Sequence, residues 1–283
     1  MFDLNNIISS AQDFKAQKIL VYGPPGLGKT TFACTFEAPV LLRVEDGAAA
    51  LDVPTFPELI KEYAELCDCI NALHGEHQYK TLVVDSLDWL EPIIWAETCD
   101  RLTRAGMRTK TGEAITSIEQ AGYGKGYVEA DRVWRKIIGG FDSLRIKRGM
   151  NLVMVAHAEQ KRIEPPDSDP YDRYQIKLHK RAWAIWQEWV DMLLFATYER
   201  SLVKTKDGGP GGEDKHRAKG TGNRQIYTDE RPAFLAKNRW SLPHEIFIGQ
   251  DKTWSGFHQA LNTATGGRYP LPTNNHNPQE EAA

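Results

Sequence analysis

The run Gly23-Pro24-Pro25-Gly26-Leu27-Gly28-Lys29-Thr30 constrains this chain more than any other stretch. It follows an apolar segment, Lys18 to Tyr22, and precedes one from Thr30 to Phe36 that can open a helix. Strand, glycine-rich loop and helix in that order fill every fixed position of the phosphate-binding G-x-x-x-x-G-K-[ST] loop. The glycines let the backbone close round an anion, with amide N–H groups and the helix N-terminus aimed at it. A nucleoside triphosphate is therefore the expected ligand, ATP with Mg²⁺. Gly23, Pro24, Pro25, Gly26, Leu27, Gly28, Lys29, Thr30 and Thr31 would form its cradle. Within it Lys29 would reach the β and γ phosphates, and the Thr30 hydroxyl would hold the metal.

Thr81-Leu82-Val83-Val84-Asp85 is an apolar strand ending in an acid, a placement that brings a carboxylate beside the Mg²⁺ shell. Asp85 is thus expected on the metal side together with Thr30. The next residue is Ser86, where AAA+ ATPases and many helicases carry a Glu that orients the attacking water, so the catalytic carboxylate is sought elsewhere. Glu45 supplies one, at the end of the strand Val40 to Glu45, expected beside the Asp85 strand and facing the same crevice. A strand-end glutamate without a role is the alternative.

Strand and helix signals alternate along most of the chain, which predicts an α/β fold with a mainly parallel central sheet and helices on both faces. Strands are expected at 18–22, 40–45, 81–85 and 151–156. Thr55-x-x-Glu58 has the form of a capping box, and the spacing of Leu59, Tyr63, Leu66 and Ile70 predicts a helix over 56–74. Further helices are expected at about 87–104, 127–146 and 177–190. Met192 to Thr197, Leu202 to Thr205, Gln225 to Thr228 and Ala233 to Lys237 look like short strands of a C-terminal antiparallel extension. Residues 206–224, with six glycines, are expected to be mobile, and 264–283 to form a disordered tail after a single core over 1–263.

At 283 residues and 41% hydrophobic the chain can bury a core of that size. A net charge of −3 excludes a globally basic nucleic-acid binder, so any polyanion surface must be local. Four cysteines, no signal peptide and no apolar run near 18 residues fit a cytoplasmic chain without a membrane partner. Cys67-x-Cys69 sits in a helical pattern with no second pair, and His157-Ala158-Glu159 lacks the C-x-x-C of zinc deaminases. Neither predicts a metal centre.

The order of P-loop, strand-end Glu45, Asp85 and the apolar strand Asn151 to Ala156 ending in His157 resembles the RecA-type P-loop NTPase core. The resemblance implies that the last strand lies between the P-loop strand and the Asp85 strand. It also implies that His157, where the family more often has Gln, senses the γ-phosphate; a structural histidine is the alternative. Ala233-Phe234-Leu235-Ala236-Lys237-Asn238-Arg239-Trp240 resembles the Lys-Asn-Lys or Lys-Asn-Arg element of RecA and its relatives. It implies that Lys237 and Arg239 reach the γ-phosphate held by a neighbouring subunit, against the alternative of two solvated basic residues.

Over roughly residues 15–250 the chain is similar to the phage-encoded Sak group, ATPases that amount to a RecA core alone and promote single-strand annealing. The partners so implied are single-stranded DNA, further copies of the chain with active sites at subunit interfaces, and a single-strand-binding protein, in the cytoplasm of a bacterial host. About 17 residues precede the first strand, fewer than the module through which RecA polymerises, which leaves ring, filament or weaker assembly open. A nucleotide-gated replication or helicase-loading accessory with slow hydrolysis is the alternative function.

In RecA-like proteins two loops line the DNA, and their counterparts here are 103–127 and 158–176. The first holds Arg104, Arg108 and Lys110, then Gly122-Tyr123-Gly124-Lys125-Gly126-Tyr127, a pattern that can neutralise phosphates and stack a base. A flexible surface loop is its alternative. The second carries Lys161 and Arg162, offset by Glu164, Asp167, Asp169 and Asp172. Lys177 to Arg181 adds a basic patch before Trp183, Trp186 and Trp189, whose spacing points to packing on the sheet.

Overall fold

Apolar runs such as Ile19 to Tyr22 and Leu82 to Val84 become central strands, because a strand covered on both faces has no solvent side on which to alternate. In the computed structural model, which describes residues 15–47, 51–166, 169–206 and 214–272, the elements begin with β1 (Lys18–Gly23), α1 (Lys29–Ala33), β2 (Pro39–Arg43) and α2 (Tyr63–Ala72). They continue with β3 (Thr81–Asp85), α3 (Leu87–Arg104), α4 (Lys125–Arg148), β4 (Asn151–Ile163), β5 (Tyr171–Ile176) and α5 (Lys180–Trp189). The last are β6 (Met192–Lys206), β7 (Asp214–Tyr227), β8 (Glu245–Gly249) and α6 (Ser255–Ala264). The sheet runs β2-β3-β4-β1-β6-β7-β8, with β5 paired to β4 off this path. Pairings from β2 to β6 are parallel, and those of β6 with β7 and β7 with β8 are antiparallel. This is the expected fold class, with β4 between the P-loop strand β1 and the Asp85 strand β3.

Strand alternation divides the core in two. Leu20, Tyr22, Leu82, Val84, Leu152 and Met154 face α2 to α5, whereas Ile19, Val21, Val83, Val153 and Val155 face α1 and α6. The tryptophans of α5 pack as expected: Trp186 is fully buried and meets Trp134 edge-on at 5.5 Å, and Trp189 donates its indole N–H to Asp142 at 3.0 Å.

Several expectations are corrected. The helix predicted over 56–74 begins only at Tyr63, capped by Glu62 and Glu65 rather than by Thr55 and Glu58. Pro54 and Pro57 favour an extended chain, and residues 54–60 bond along the edge strand β2 instead, through Leu41 N–H to Pro54 O at 2.8 Å and Phe56 N–H to Leu41 O at 3.0 Å. The loop expected over 158–176 is largely the β4–β5 hairpin, registered from Ala158 opposite Ile176 to Ile163 opposite Tyr171. Residues 214–224, expected to be mobile, belong to the ladder of β7 with β6; residues 207–213 lie outside the described residues. Ala233 to Lys237 forms isolated bridges from Phe234 to Tyr174 and from Lys237 to Leu193 rather than a strand. β8 and α6 have no counterpart in the sequence-based expectation. The expected tail is folded as far as Tyr269, which is buried, while 273–283 lies outside the described residues.

Candidate nucleotide site

Four segments reach one rim of the sheet, where parallel strands put their C-terminal ends, although β4 continues past it into the hairpin with β5. β1 delivers the P-loop, β3 delivers Asp85, β4 delivers His157, and Glu45 follows β2 by two residues. A side chain at Gly23 would collide with the carbonyl oxygen of Ala196 on β6, 2.1 Å from a built Cβ, and Gly28 stands at φ +90°, so both positions require glycine.

Thr30 Oγ1 donates to Asp85 Oδ2 at 2.7 Å, which joins the two residues expected on the metal side. Lys29 is 6% exposed, and its ammonium donates to Pro24 O at 2.9 Å, folded back on its own loop. Burial lowers its pKa, opposed by the charges of Asp85, Asp88 and Glu45. Burial raises the pKa of Asp85, with Thr30, Lys29 and His157 acting against it. Glu45 is raised by burial and by the Asp85 charge, while its Oε2 accepts from Ser86 Oγ at 3.3 Å. A raised pKa makes a carboxylate a stronger base than an ordinary one.

His157 is tied down by a residue outside the set expected from sequence. Asp88, in the first turn of α3, accepts the His157 backbone N–H at 3.0 Å and lies 3.0 Å from Nδ1. Burial alone would raise the Asp88 pKa, but the His157 hydrogen bonds outweigh it and leave the carboxyl below its ordinary value. Glu91, a turn further along α3, accepts the His179 backbone N–H on both oxygens at 3.1 Å, and burial pushes its pKa up to about 7. Two more contacts have no sequence signal. Tyr198 donates to Gly26 O and Arg224 Nε to Leu27 O, both at 2.9 Å.

The remaining residues are elsewhere. Lys237 pairs with Leu193 at the start of β6, its ammonium 3.4 Å from Glu188 O, and Arg239 lies 3.3 Å from Asp191. Asp191 itself accepts from the backbone N–H of Lys18 at 3.2 Å, so the basic pair stands at the N-terminal end of β1. The P-loop leaves the opposite end, about 16 Å of strand away. Arg104 ends α3 near Glu97 at 3.4 Å, and Arg108 caps that helix through Thr103 O and Met107 O at 2.7 Å. Sixteen residues of helix, about 24 Å of rise, separate Arg104 from Asp88. Lys125 is the exposed first residue of α4 rather than a loop residue, and it has no ion-pair partner among the described residues. Lys161 pairs with Glu159 at 2.6 Å, and Arg162 lies 3.8 Å from Asp172.

A P-loop with an acid at the end of β3, in a sheet whose β4 lies between β1 and β3, defines a P-loop NTPase core. The chain belongs to the AAA domain family, which it matches over residues 15–240. Domains of this class bind nucleotide, usually with Mg²⁺, and are generally ATPases. A crystal structure of the RadB recombinase matches 84% of this chain and 89% of its own, at 13% identity and a TM-score of 0.39. No curated protein matches the sequence. Among the described residues no helix is long and apolar enough to cross a membrane.

Proposed function

We propose that this chain is an ATP-dependent recombination protein of the phage Sak type, which binds single-stranded DNA, switches with ATP binding and hydrolysis, and promotes strand annealing in a bacterial cytoplasm. The observation that carries the reading is the continuity of β4. Its polar residue His157 is held by Asp88 beside the P-loop, and six residues later the same strand ends in the Lys161–Arg162 arm of a hairpin. Nucleotide state at the middle of β4 thereby has a short mechanical route to basic residues near its C-terminal end.

In this reading Lys29 neutralises the β and γ phosphates, and Thr30 and Asp85 serve the Mg²⁺ shell. Glu45 accepts a proton from the attacking water, while His157 reports the γ-phosphate. Lys125, Arg104, Arg108, Lys161 and Arg162 supply DNA contacts. Lys237 and Arg239, remote from their own P-loop, act in a neighbouring subunit of a ring or filament, with a single-strand-binding protein as a further partner.

Pairing of Lys161 with Glu159 and the proximity of Arg162 to Asp172 favour a second reading, a nucleotide-gated replication or helicase-loading accessory with weak DNA contact and slow turnover. Measuring ATP turnover with and without single-stranded DNA, alongside annealing of complementary strands, separates the two. Stimulation and annealing support the first; turnover indifferent to DNA with no annealing overturns it.

A further inference from the structure

Tyr198 and Arg224 are direct cross-strand neighbours in β6 and β7, so their side chains stand on one face of the hairpin. Both reach the P-loop from outside, and both bond to carbonyls rather than to side chains. Tyr198 O–H holds Gly26 O, and Arg224 Nε–H holds Leu27 O. In a planar trans peptide the C=O and the following N–H point in opposite directions. Holding the Gly26 carbonyl outward therefore turns the Leu27 N–H inward, and holding the Leu27 carbonyl outward does the same for the Gly28 N–H. These amides belong to the loop that cradles phosphate.

The Arg224 guanidinium is itself supported. It lies over the Trp254 indole at 5.7 Å, and Arg224 pairs with Gly249, at the end of the strand that leads to Trp254. Trp254 is 1% exposed, packs on Phe32 of α1 at 5.1 Å, and would stand 3.8 Å from a Cβ built on Gly28. Its backbone takes φ +55°, a conformation costly for a bulky residue and kept only where surroundings enforce it. The enforcing turn is built on Asp251, which accepts from Thr253 N–H and Oγ1 at 2.8 and 2.7 Å and from Ser255 N–H and Oγ at 3.0 and 2.7 Å. This turn and α6 lie beyond residues 15–240, the span matched to the AAA domain.

We infer that Tyr198 and Arg224, backed by Trp254, are positioning residues that pre-set the P-loop amides for phosphate, so that the segment following the AAA domain is thermodynamically linked to nucleotide binding. The inference rests on the P-loop being a nucleotide site. Linkage is reciprocal: what orders the loop for nucleotide is ordered by nucleotide in return.

Calorimetric titration of the full chain and its Arg224→Gln, Arg224→Lys and Tyr198→Phe variants with Mg-ADP tests it, with thermal melting as a control for folding. Arg224→Gln is expected to raise Kd about tenfold while still melting cooperatively at a modestly lower temperature, since a charged hydrogen bond that pre-organises the site is lost. Arg224→Lys should recover part of that loss, and Tyr198→Phe should raise Kd less. Hydrogen exchange should show Mg-ADP slowing the amides of 250–264 in the unsubstituted chain, and doing so less in Arg224→Gln. Wild-type Kd in both Arg224→Gln and Tyr198→Phe overturns the inference, as does exchange at 250–264 that ignores nucleotide. Absence of binding by the unsubstituted chain would overturn the nucleotide site itself.

Discussion

Lys29 sits almost out of water with three carboxylates acting on it, its ammonium resting on Pro24 O. Replacing it by Ala leaves the β and γ charges uncompensated, so Lys29→Ala should abolish hydrolysis and weaken ATP binding; turnover near wild type in a phosphate-release assay would sink the assignment. Glu45→Gln keeps the Ser86 contact and the shape but cannot take a proton. ATP should bind as before while turnover falls by about 10² or more, and normal turnover would pass the role to Asp88. At this scale the placement of the P-loop, Asp85 and Glu45 at one crevice was legible because each sits at a fixed offset from a strand end. Asp88, Tyr198 and Arg224 were not: their partners are 69, 172 and 197 residues away in sequence, and no local spacing encodes such a meeting.

Among the elements α3 carries the most chemistry, with Asp88 on His157 and Glu91 on the cap of α5. Glu91 has its pKa raised from an ordinary 4.5 to about 7, so the folded chain holds a proton there that the unfolded chain releases. Its favourable contribution is complete below pH 4.5 and is lost as pH rises through about 7, a change on the order of 3 kcal/mol. Glu91→Gln still offers a carbonyl to the His179 N–H without the charge. It should match wild type in melting temperature near pH 5 and exceed it at pH 8; parallel profiles across that range would refute the assignment. Element type followed from periodicity for the buried strands and for α3, α4 and α5. It failed for 54–60, where Pro54 and Pro57 and the open edge of β2 outweighed an apparent capping box, and for the β4–β5 hairpin, where the resemblance to RecA-like proteins implied a loop.

On the scale of the molecule, the decisive separation is between the P-loop at one rim of the sheet and Lys237 and Arg239 at the other. If each active site borrows its basic pair, mixing Arg239→Ala with Lys29→Ala should restore part of the turnover that each lacks, because some composite sites join a wild-type P-loop to a wild-type Arg239. Co-assembly seen by native mass measurement without recovered turnover would make Arg239 the structural partner of Asp191. The amino-acid sequence by itself determined the P-loop, the parallel α/β sheet and the acid on β3, since these depend on residues close in the chain and on how many faces a strand must bury. Tertiary structure alone decided that His157 is held by Asp88, that the basic pair points away from its own site, and that Tyr198 of β6 and Arg224 of β7 bond to P-loop carbonyls. Those relations come from folding a sheet whose neighbours in space are far apart in sequence, and only the closed fold fixes which side chain meets which carbonyl.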